Sequence, residues 1–409
     1  MMGRTRGFVV LALGLGLAVP AAAERPIRLD AAIAQARERN PLLALARAEQ
    51  EQADAATITA RQFLNPSLIG AAGPLRGRNS SIDEGTAFRL QLSQPFQTPF
   101  LRGARRRAAE SGLDAARASA RGADADLVAG VKSAFSQVLL AQGLLELSQE
   151  QLALLSRVRE GIERKVRVGE GPGLDLARAE TEVLNARRDR AEARVAVTQA
   201  KLGLGTVIGE PDPQELAIDG GLPLIELPSR DDLRQRLADG NPRIEAARRD
   251  VERARHQLSM EKHKRLDGLG FEAEWEREPE TDKVYLGLRV PLPLWNRRRG
   301  EIAEAVAGVR RAEALLAGRE MALGRELDSL YNRYQLAQEQ VQIIEQGLLQ
   351  EANRALRGAE VAYRSGERGI LEYLDAQRTL RDIRLDQLTE RGEMQRAGIE
   401  IERLAGSTR

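Results

Sequence analysis

The chain has 409 residues, with 62 Lys and Arg against 60 Asp and Glu and no cysteine. Near-neutral charge gives no electrostatic footprint for nucleic acid, and the lack of thiols excludes disulfides, thiolate metal sites and a lipid-modified cysteine.

Residues 1–23 carry Arg4 and Arg6, an apolar run from Phe8 to Ala18 and the small-residue end Ala21-Ala22-Ala23, the layout of a secretory signal with cleavage expected before Glu24. Its removal takes two arginines and leaves 60 basic against 60 acidic residues. After it, no run of 18 apolar residues is evident, so a membrane protein of this kind would have to be a β-barrel.

The first half (24–208) starts with a helix over Leu29 to Asp54, broken at Asn40-Pro41. A weak strand follows from about Pro66 to Gly73, where Leu68 and Ile69 spoil the alternation. The next strand alternates cleanly, Phe88, Leu90 and Leu92 on one face and Arg89, Gln91 and Ser93 on the other, and ends at Pro95. From about Pro99 to Arg167 the chain is rich in Ala, Leu, Glu, Arg and Gln with no internal proline, which predicts a helix roughly 100 Å long. Such a helix needs lateral support, and Leu144, Leu147, Gln151, Leu154, Leu155 and Val158 keep a coiled-coil spacing. The tip Arg167-Val168-Gly169-Glu170 then reverses the chain, and Asp175 follows. Gly203-Leu204-Gly205 is expected to end the returning helix before a linker, 209–228.

The second half (229–409) runs through the same order about 197 to 201 residues later, the mark of a duplicated domain. Asn241-Pro242 matches Asn40-Pro41. Leu269, Phe271, Ala273 and Trp275 oppose Gly270, Glu272, Glu274 and Glu276, and Val284, Leu286, Leu288 and Val290 oppose Tyr285, Gly287 and Arg289. Loops are expected over Gly73 to Gly85, with Asn79-Ser80-Ser81, and over Glu278 to Asp282. A second long helix is predicted from about Arg297 to Tyr363, then the tip Arg364-Ser365-Gly366-Glu367 and Glu372. Four strands with one apolar and one charged face cannot close a barrel alone, so the chain would have to share one with copies of itself. Two rivals remain on the pattern alone: a periplasmic adaptor with one helical hairpin, and a soluble coiled-coil scaffold.

This order of features, from the signal through the Asn-Pro breaks and two strand pairs to the Gly-Glu hairpin tips, resembles the TolC family of outer-membrane efflux proteins over about Leu29 to Leu404. The resemblance implies a mainly α fold with a β-barrel section. Three subunits would each give four strands to one twelve-stranded barrel, and duplicated helical hairpins would form a periplasmic tunnel. It implies a passive exit duct in the outer membrane of a Gram-negative bacterium, working with a periplasmic adaptor and an inner-membrane pump. The run Val290-Pro291-Leu292-Pro293-Leu294-Trp295-Asn296-Arg297-Arg298-Arg299-Gly300-Glu301-Ile302 is similar to the junction in members that serve heavy-metal pumps of the proton-driven type, so metal cations are one expected cargo.

By that resemblance Arg167, Gly169, Glu170, Gly171, Arg364, Gly366, Glu367 and Gly369 are adaptor-docking tips, with Gly173 also eased into the turn. Asp175 and Glu372 would form carboxylate rings at the entrance, neutralised if Arg167, Arg364 or Arg368 reaches them. Arg89, Arg289, Glu272, Glu274 and Glu276 would make a wet, charged barrel lumen. His256 and His263 read as surface residues with no third ligand. No nucleophile–base pair, phosphate loop or zinc signature points to an enzyme, a cofactor or a metal site.

Overall fold

The computed structural model describes residues 25–75, 85–221 and 225–406. The expected signal segment, most of the loop with Asn79-Ser80-Ser81, and residues 222–224 of the expected linker lie outside the described residues.

Short strand β1 (Arg25–Ile27) leads into helices α1 (Leu29–Arg39) and α2 (Pro41–Arg61), then strands β2 (Ser67–Leu75) and β3 (Gly85–Pro95). Helix α3 (Pro99–Arg167) runs 69 residues, about 100 Å at 1.5 Å per residue, and α4 (Gly173–Ile208) returns over 36. Strand β4 (Leu216–Ile218) pairs in parallel with β1, so the expected linker contributes to a small two-stranded sheet. The second repeat follows as α5 (Arg230–Gly240), α6 (Pro242–His263), β5 (Gly270–Glu278), β6 (Thr281–Arg289), α7 (Arg299–Ile343), α8 (Leu349–Arg364) and α9 (Ile370–Ala405). The second long helix departs from expectation: a π-helical turn, Ile344–Leu348, separates α7 from α8.

The four long strands form one antiparallel sheet in the order β2-β3-β5-β6, and the hairpin turn after β5 is only Pro279 and Glu280. The weak first strand belongs to it, with Leu68 on the apolar face and Ile69 opposite Gln91 on the charged one. Below the sheet the helices repeat the strand order, α2 against α3, α3 against α6, and α6 against α7. Farther down α4 packs on α3, and α9 lies between α3 and α7–α8. The subunit is therefore a wall of side-by-side elements about one layer thick.

Two Asn-Pro breaks make this wall continuous. Each asparagine caps the helix that follows it: Asn40 Oδ1 accepts from Leu42 N at 2.9 Å, and Asn241 Oδ1 from Arg243 N and Ile244 N at 2.9 and 3.3 Å. The Nδ2 of each then donates 2.9 Å to a carbonyl in the last turn of another helix, Val207 in α4 and Leu404 in α9. The N-terminus of α2 thus abuts the C-terminus of α4, and α6 abuts α9. Their macrodipoles meet head to tail, and carbonyls that a lone helix end leaves unpaired gain donors.

Packing along α3 changes with depth. Its upper part buries Ala104, Ala108, Ser111, Ala115, Ala118 and Gly122, a four-three alternation of small residues that lets neighbouring helices approach closely with a coiled-coil twist. Lower down, Leu127, Val131, Phe135 and Val138 fill a core with Leu204 and Ile208 of α4 and Ala32 and Ala36 of α1. The counterpart core of the second repeat is built on Leu233, Leu237, Leu327, Tyr334 and Leu404. These residues also correct one expectation, because α3 does contain a window long and apolar enough to cross a membrane. In the subunit 28% of that window is buried against other helices. The coiled-coil row begins as predicted but is mostly half-buried: Leu155 is enclosed, while Leu147, Gln151 and Leu154 line an open groove facing α8 and α9. Gly203 and Gly205 do not end α4, which continues to Ile208 and stops at left-handed Gly209, with Gly205 packed closely against Pro213.

Candidate functional site

Both ends of the wall carry the residues singled out by the sequence. At the lower end the two hairpin tips share one geometry. Helix α3 ends at Arg167, Gly169 takes φ +80°, Gly169 N donates to Val166 O (3.0 Å) and Glu170 N to Lys165 O (2.9 Å). Helix α8 ends at Arg364, Gly366 takes φ +77°, Gly366 N donates to Tyr363 O (3.2 Å) and Glu367 N to Ala362 O (2.9 Å). This is a Schellman motif twice over, and its left-handed residue is why glycine stands at 169 and 366. The other tip glycines do not share the reason: Gly171, Gly173 and Gly369 have no positive φ, and Gly173 begins α4 while Gly369 precedes α9.

The tips are joined above their turns by a core of Leu155, Ile162, Ala179 and Val183 with Ile370, Tyr373 and Leu374. Tyr363 stacks on Tyr373 at 6.0 Å, and Lys165 Nζ sits 4.8 Å over the Tyr363 ring. Burial first, then the negative charge of Asp175, pushes the Tyr363 hydroxyl above its ordinary pKa, so Asp175 lies beside the second hairpin. Asp175 and Glu372 each stand in the first turn of a helix, where the dipole favours them. Their neutralisation differs from expectation. Arg167 pairs with Glu163 at 3.1 Å and Arg364 with Glu360 at 2.7 Å, each on its own helix. Only Arg368 approaches Glu372, at 4.0 Å, and Asp175 has Arg178 at 3.9 Å.

Sequence reading missed the ionic row just above. Arg378, Arg381 and Arg384 of α9 reach the first hairpin, Arg378 to Glu182, Arg381 to Asp189 (3.4 Å) and Arg384 to Glu150 (3.2 Å). Their spacing of three puts them along one side of the helix, a signal that was present but hidden in an arginine-rich chain.

At the upper end the sheet brings the predicted lumen charges together. Register places Arg89 opposite Glu276, Gln91 opposite Glu274 and Ser93 opposite Glu272, all on one face. Arg89 bridges Glu274 and Glu276 at 3.0 Å each, and Arg289 pairs with Glu272. The opposite face carries Leu68, Phe88, Leu90, Leu92, Phe271, Trp275, Val284, Leu286 and Leu288, exposed in the single subunit. Strands of 9 to 11 residues with this division have the length and polarity of membrane-spanning barrel strands. Of the two histidines, His263 stacks on Phe100 at 5.7 Å and its Nδ1 donates to Ser259 O at 2.7 Å.

Residues 32–210 and 233–407 both match the family model described as Outer membrane efflux protein. The cobalt-zinc-cadmium resistance protein CzcC of Cupriavidus metallidurans is 26% identical over 389 residues, 95% of this chain and 92% of that protein. The pyoverdine export outer membrane protein OpmQ of Pseudomonas putida is 27% identical, over 86% of this chain and 80% of its own. Among solved structures, the outer-membrane channel OprN superposes with TM-score 0.79 at 18% identity, covering 93% of this chain and 90% of that one. The transmembrane channel CusC gives TM-score 0.79 at 18% identity, with 92% of each chain covered.

Proposed function

This chain belongs to the outer membrane efflux protein family and is an efflux channel of the outer membrane, and from that premise we propose that three copies form an exit duct for metal cations. In this reading each copy supplies four strands to a twelve-stranded barrel and its helices to a tunnel. An inner-membrane pump and a periplasmic adaptor deliver the cargo.

The observation behind the shared barrel is an asymmetry between edge and interior elements. Interior helices α3, α6 and α9 expose almost no large apolar side chains, only Phe100 and Leu371. The edge helices expose Leu42, Leu45 and Ile58 on α2, Leu184, Val195 and Leu202 on α4, and Leu315, Met321 and Leu336 on α7. Strands β2 and β6 leave one backbone edge each without a partner in the sheet. Open edges are not tolerated in hydrocarbon, and stripes of this kind mark association surfaces. A second copy of the same wall satisfies both, and repetition closes a ring.

Metal cargo is supported by the near full-length similarity to CzcC, a cobalt-zinc-cadmium resistance protein, and by the acidic face of Glu272, Glu274 and Glu276. Similarity to a pyoverdine exporter supplies the competing cargo class. The deciding experiment deletes the gene and measures cellular zinc, cobalt and cadmium alongside siderophore in the medium. Raised metal with normal siderophore release is expected, and the opposite result overturns the metal assignment while leaving the duct.

We assign the tips Arg167 to Gly171 and Arg364 to Gly369 as the adaptor contact, with Asp175 and Glu372 lining the entrance. Their identical Schellman turns would present Glu170 and Glu367 in the same orientation. Replacing Gly169 and Gly366 together by valine is expected to abolish efflux while the protein still reaches the membrane. Unchanged efflux would remove the tip assignment.

A further inference from the structure

The strand-to-helix junction of the second repeat is longer than its partner. Three residues (96–98) join β3 to α3, whereas nine (290–298) join β6 to α7. The longer junction holds Trp295, which at 94% exposed is more open than any other large apolar residue described. Val290, Leu292 and Leu294 extend the alternation of Val284, Leu286 and Leu288, and all six are exposed. The lipid-facing row of β6 therefore continues past the end of the strand toward the helices.

Cations surround this extension. Arg298, in the left-handed region at φ +54°, is held by Glu261 at 2.6 Å, and the same carboxylate takes Lys264 at 2.6 Å. Asn296 Oδ1 accepts from Arg298 N at 2.9 Å and fixes the turn. A side chain added at Gly268 would touch Pro291, so the segment entering β5 runs alongside the junction. With Arg298 and Lys264 so engaged, Arg297, Arg299 and Arg265 stand exposed with no ion pair among the described residues. Arginines such as Arg37 and Arg403 are matched with carboxylates, and unpaired ones also occur elsewhere on the helices, so what distinguishes the junction is that its free guanidinium groups stand beside the exposed Trp295 and the extended apolar row.

Exposed tryptophan at the border of an apolar band favours the membrane–water interface, and unpaired guanidinium groups at that depth suit phosphate. We propose that this junction binds the phosphate of an anionic phospholipid in the leaflet on the helical side of the outer membrane. Trp295, Leu292 and Leu294 enter the boundary between headgroups and acyl chains. Arg265, Arg297 and Arg299 face the headgroup.

The chain has two tryptophans, Trp275 and Trp295, so the Trp275→Phe protein reports on the junction alone. It is purified, reconstituted in phosphatidylcholine vesicles, and its fluorescence is quenched with lipid brominated near the headgroup end of the acyl chain. Brominated phosphatidylglycerol is expected to quench Trp295 about fivefold more effectively than brominated phosphatidylcholine at equal mole fraction. Arg265→Gln, Arg297→Gln and Arg299→Gln together should bring the two lipids level. Trp275, read in the Trp295→Phe protein, should show no preference in either background. Added salt applied to the unmutated arginines should reduce the preference too, which keeps the test decisive if the triple variant fails to fold. Equal quenching by both lipids overturns the headgroup site. Quenching by aqueous acrylamide alone overturns it in favour of the lumen, and quenching by neither does so in favour of burial against a second copy.

Discussion

The two repeats agree where the chain must reverse or where helices stack, and they differ where strands become helices and midway down the wall. Helices α4 and α9 are both 36 residues long, the tips turn at Gly169 and Gly366, and Asn40 and Asn241 each brace the end of another helix. By contrast α3 is unbroken, while its counterpart is divided by the π-turn at Ile344–Leu348. Duplicated geometry survives where one backbone solution is available. A left-handed turn residue or a cap that donates to a foreign carbonyl leaves little choice of side chain. Long helices supported laterally tolerate an irregular turn, and π-turns recur where function has altered a helix.

The largest effect that tests this comparison is at the braces. Asn241 is 3% exposed and makes three hydrogen bonds, whereas Asn40 makes two. Asn241→Ala should cost about 2–4 kcal/mol and Asn40→Ala about 1–2 kcal/mol, since each loses a cap and strands a carbonyl. Thermal unfolding in detergent, followed by circular dichroism, gives the order, and a reversed order breaks the equivalence of the joints.

Next come the tips. Gly169→Ala and Gly366→Ala should each cost about 1–2 kcal/mol, because both glycines are left-handed with open space around them. Gly171→Ala should stay within about 0.5 kcal/mol, since its added methyl meets Lys165 and Val166 at an ordinary 3.5 Å. Equal losses at all three positions would show that the left-handed backbone conformation does not set the cost there.

In the barrel, Arg89 serves two glutamates and Arg289 one. Arg89→Ala should therefore shift the reversal potential of the channel in planar bilayers further toward cations than Arg289→Ala does. Equal shifts would mean that the number of paired glutamates does not set the effect, and no shift from either would place these charges away from the conducting path.

The smallest effect concerns the π-turn. A hydrogen bond from Gln387, then one from Arg391, holds the Glu345 carboxyl below the usual carboxylate range despite partial burial. A depressed folded pKa contributes stability above the unfolded carboxylate pKa and loses it as pH falls through the folded value. Glu345→Gln should lower stability by less than about 1 kcal/mol near neutral pH, after solvent screening, with the gap closing in acid. A gap that persists in acid would mean the carboxylate's charge is irrelevant to the π-turn.

Much of this fold was legible from short-range chemistry. Proline after asparagine marked both helix breaks, period-two alternation marked the strands and their faces, and Gly-Glu marked the tips. That Arg89 and Glu276 share one face followed from strand parity, and the register sets them opposite each other. Less legible were features that depend on distant partners. Parallel pairing of β1 with β4 joins residues about 190 apart, and three-residue strands carry no periodicity. The π-turn adds no residue type that a helix would refuse. Arg167 and Arg364 looked available to the entrance acids, yet both fold back one turn along their own helices, where a carboxylate at i−4 lies closest.

The sequence by itself determined the order of elements, the faces of the strands and the positions of the hairpin reversals, because each is written in residues within a few places of one another. Only the tertiary structure decided which helix stacks on which, which arginines of α9 grip the first hairpin, and which elements form the exposed edges of the wall. Those outcomes depend on side chains nearly 200 residues apart meeting in space, and local periodicity carries no record of such meetings.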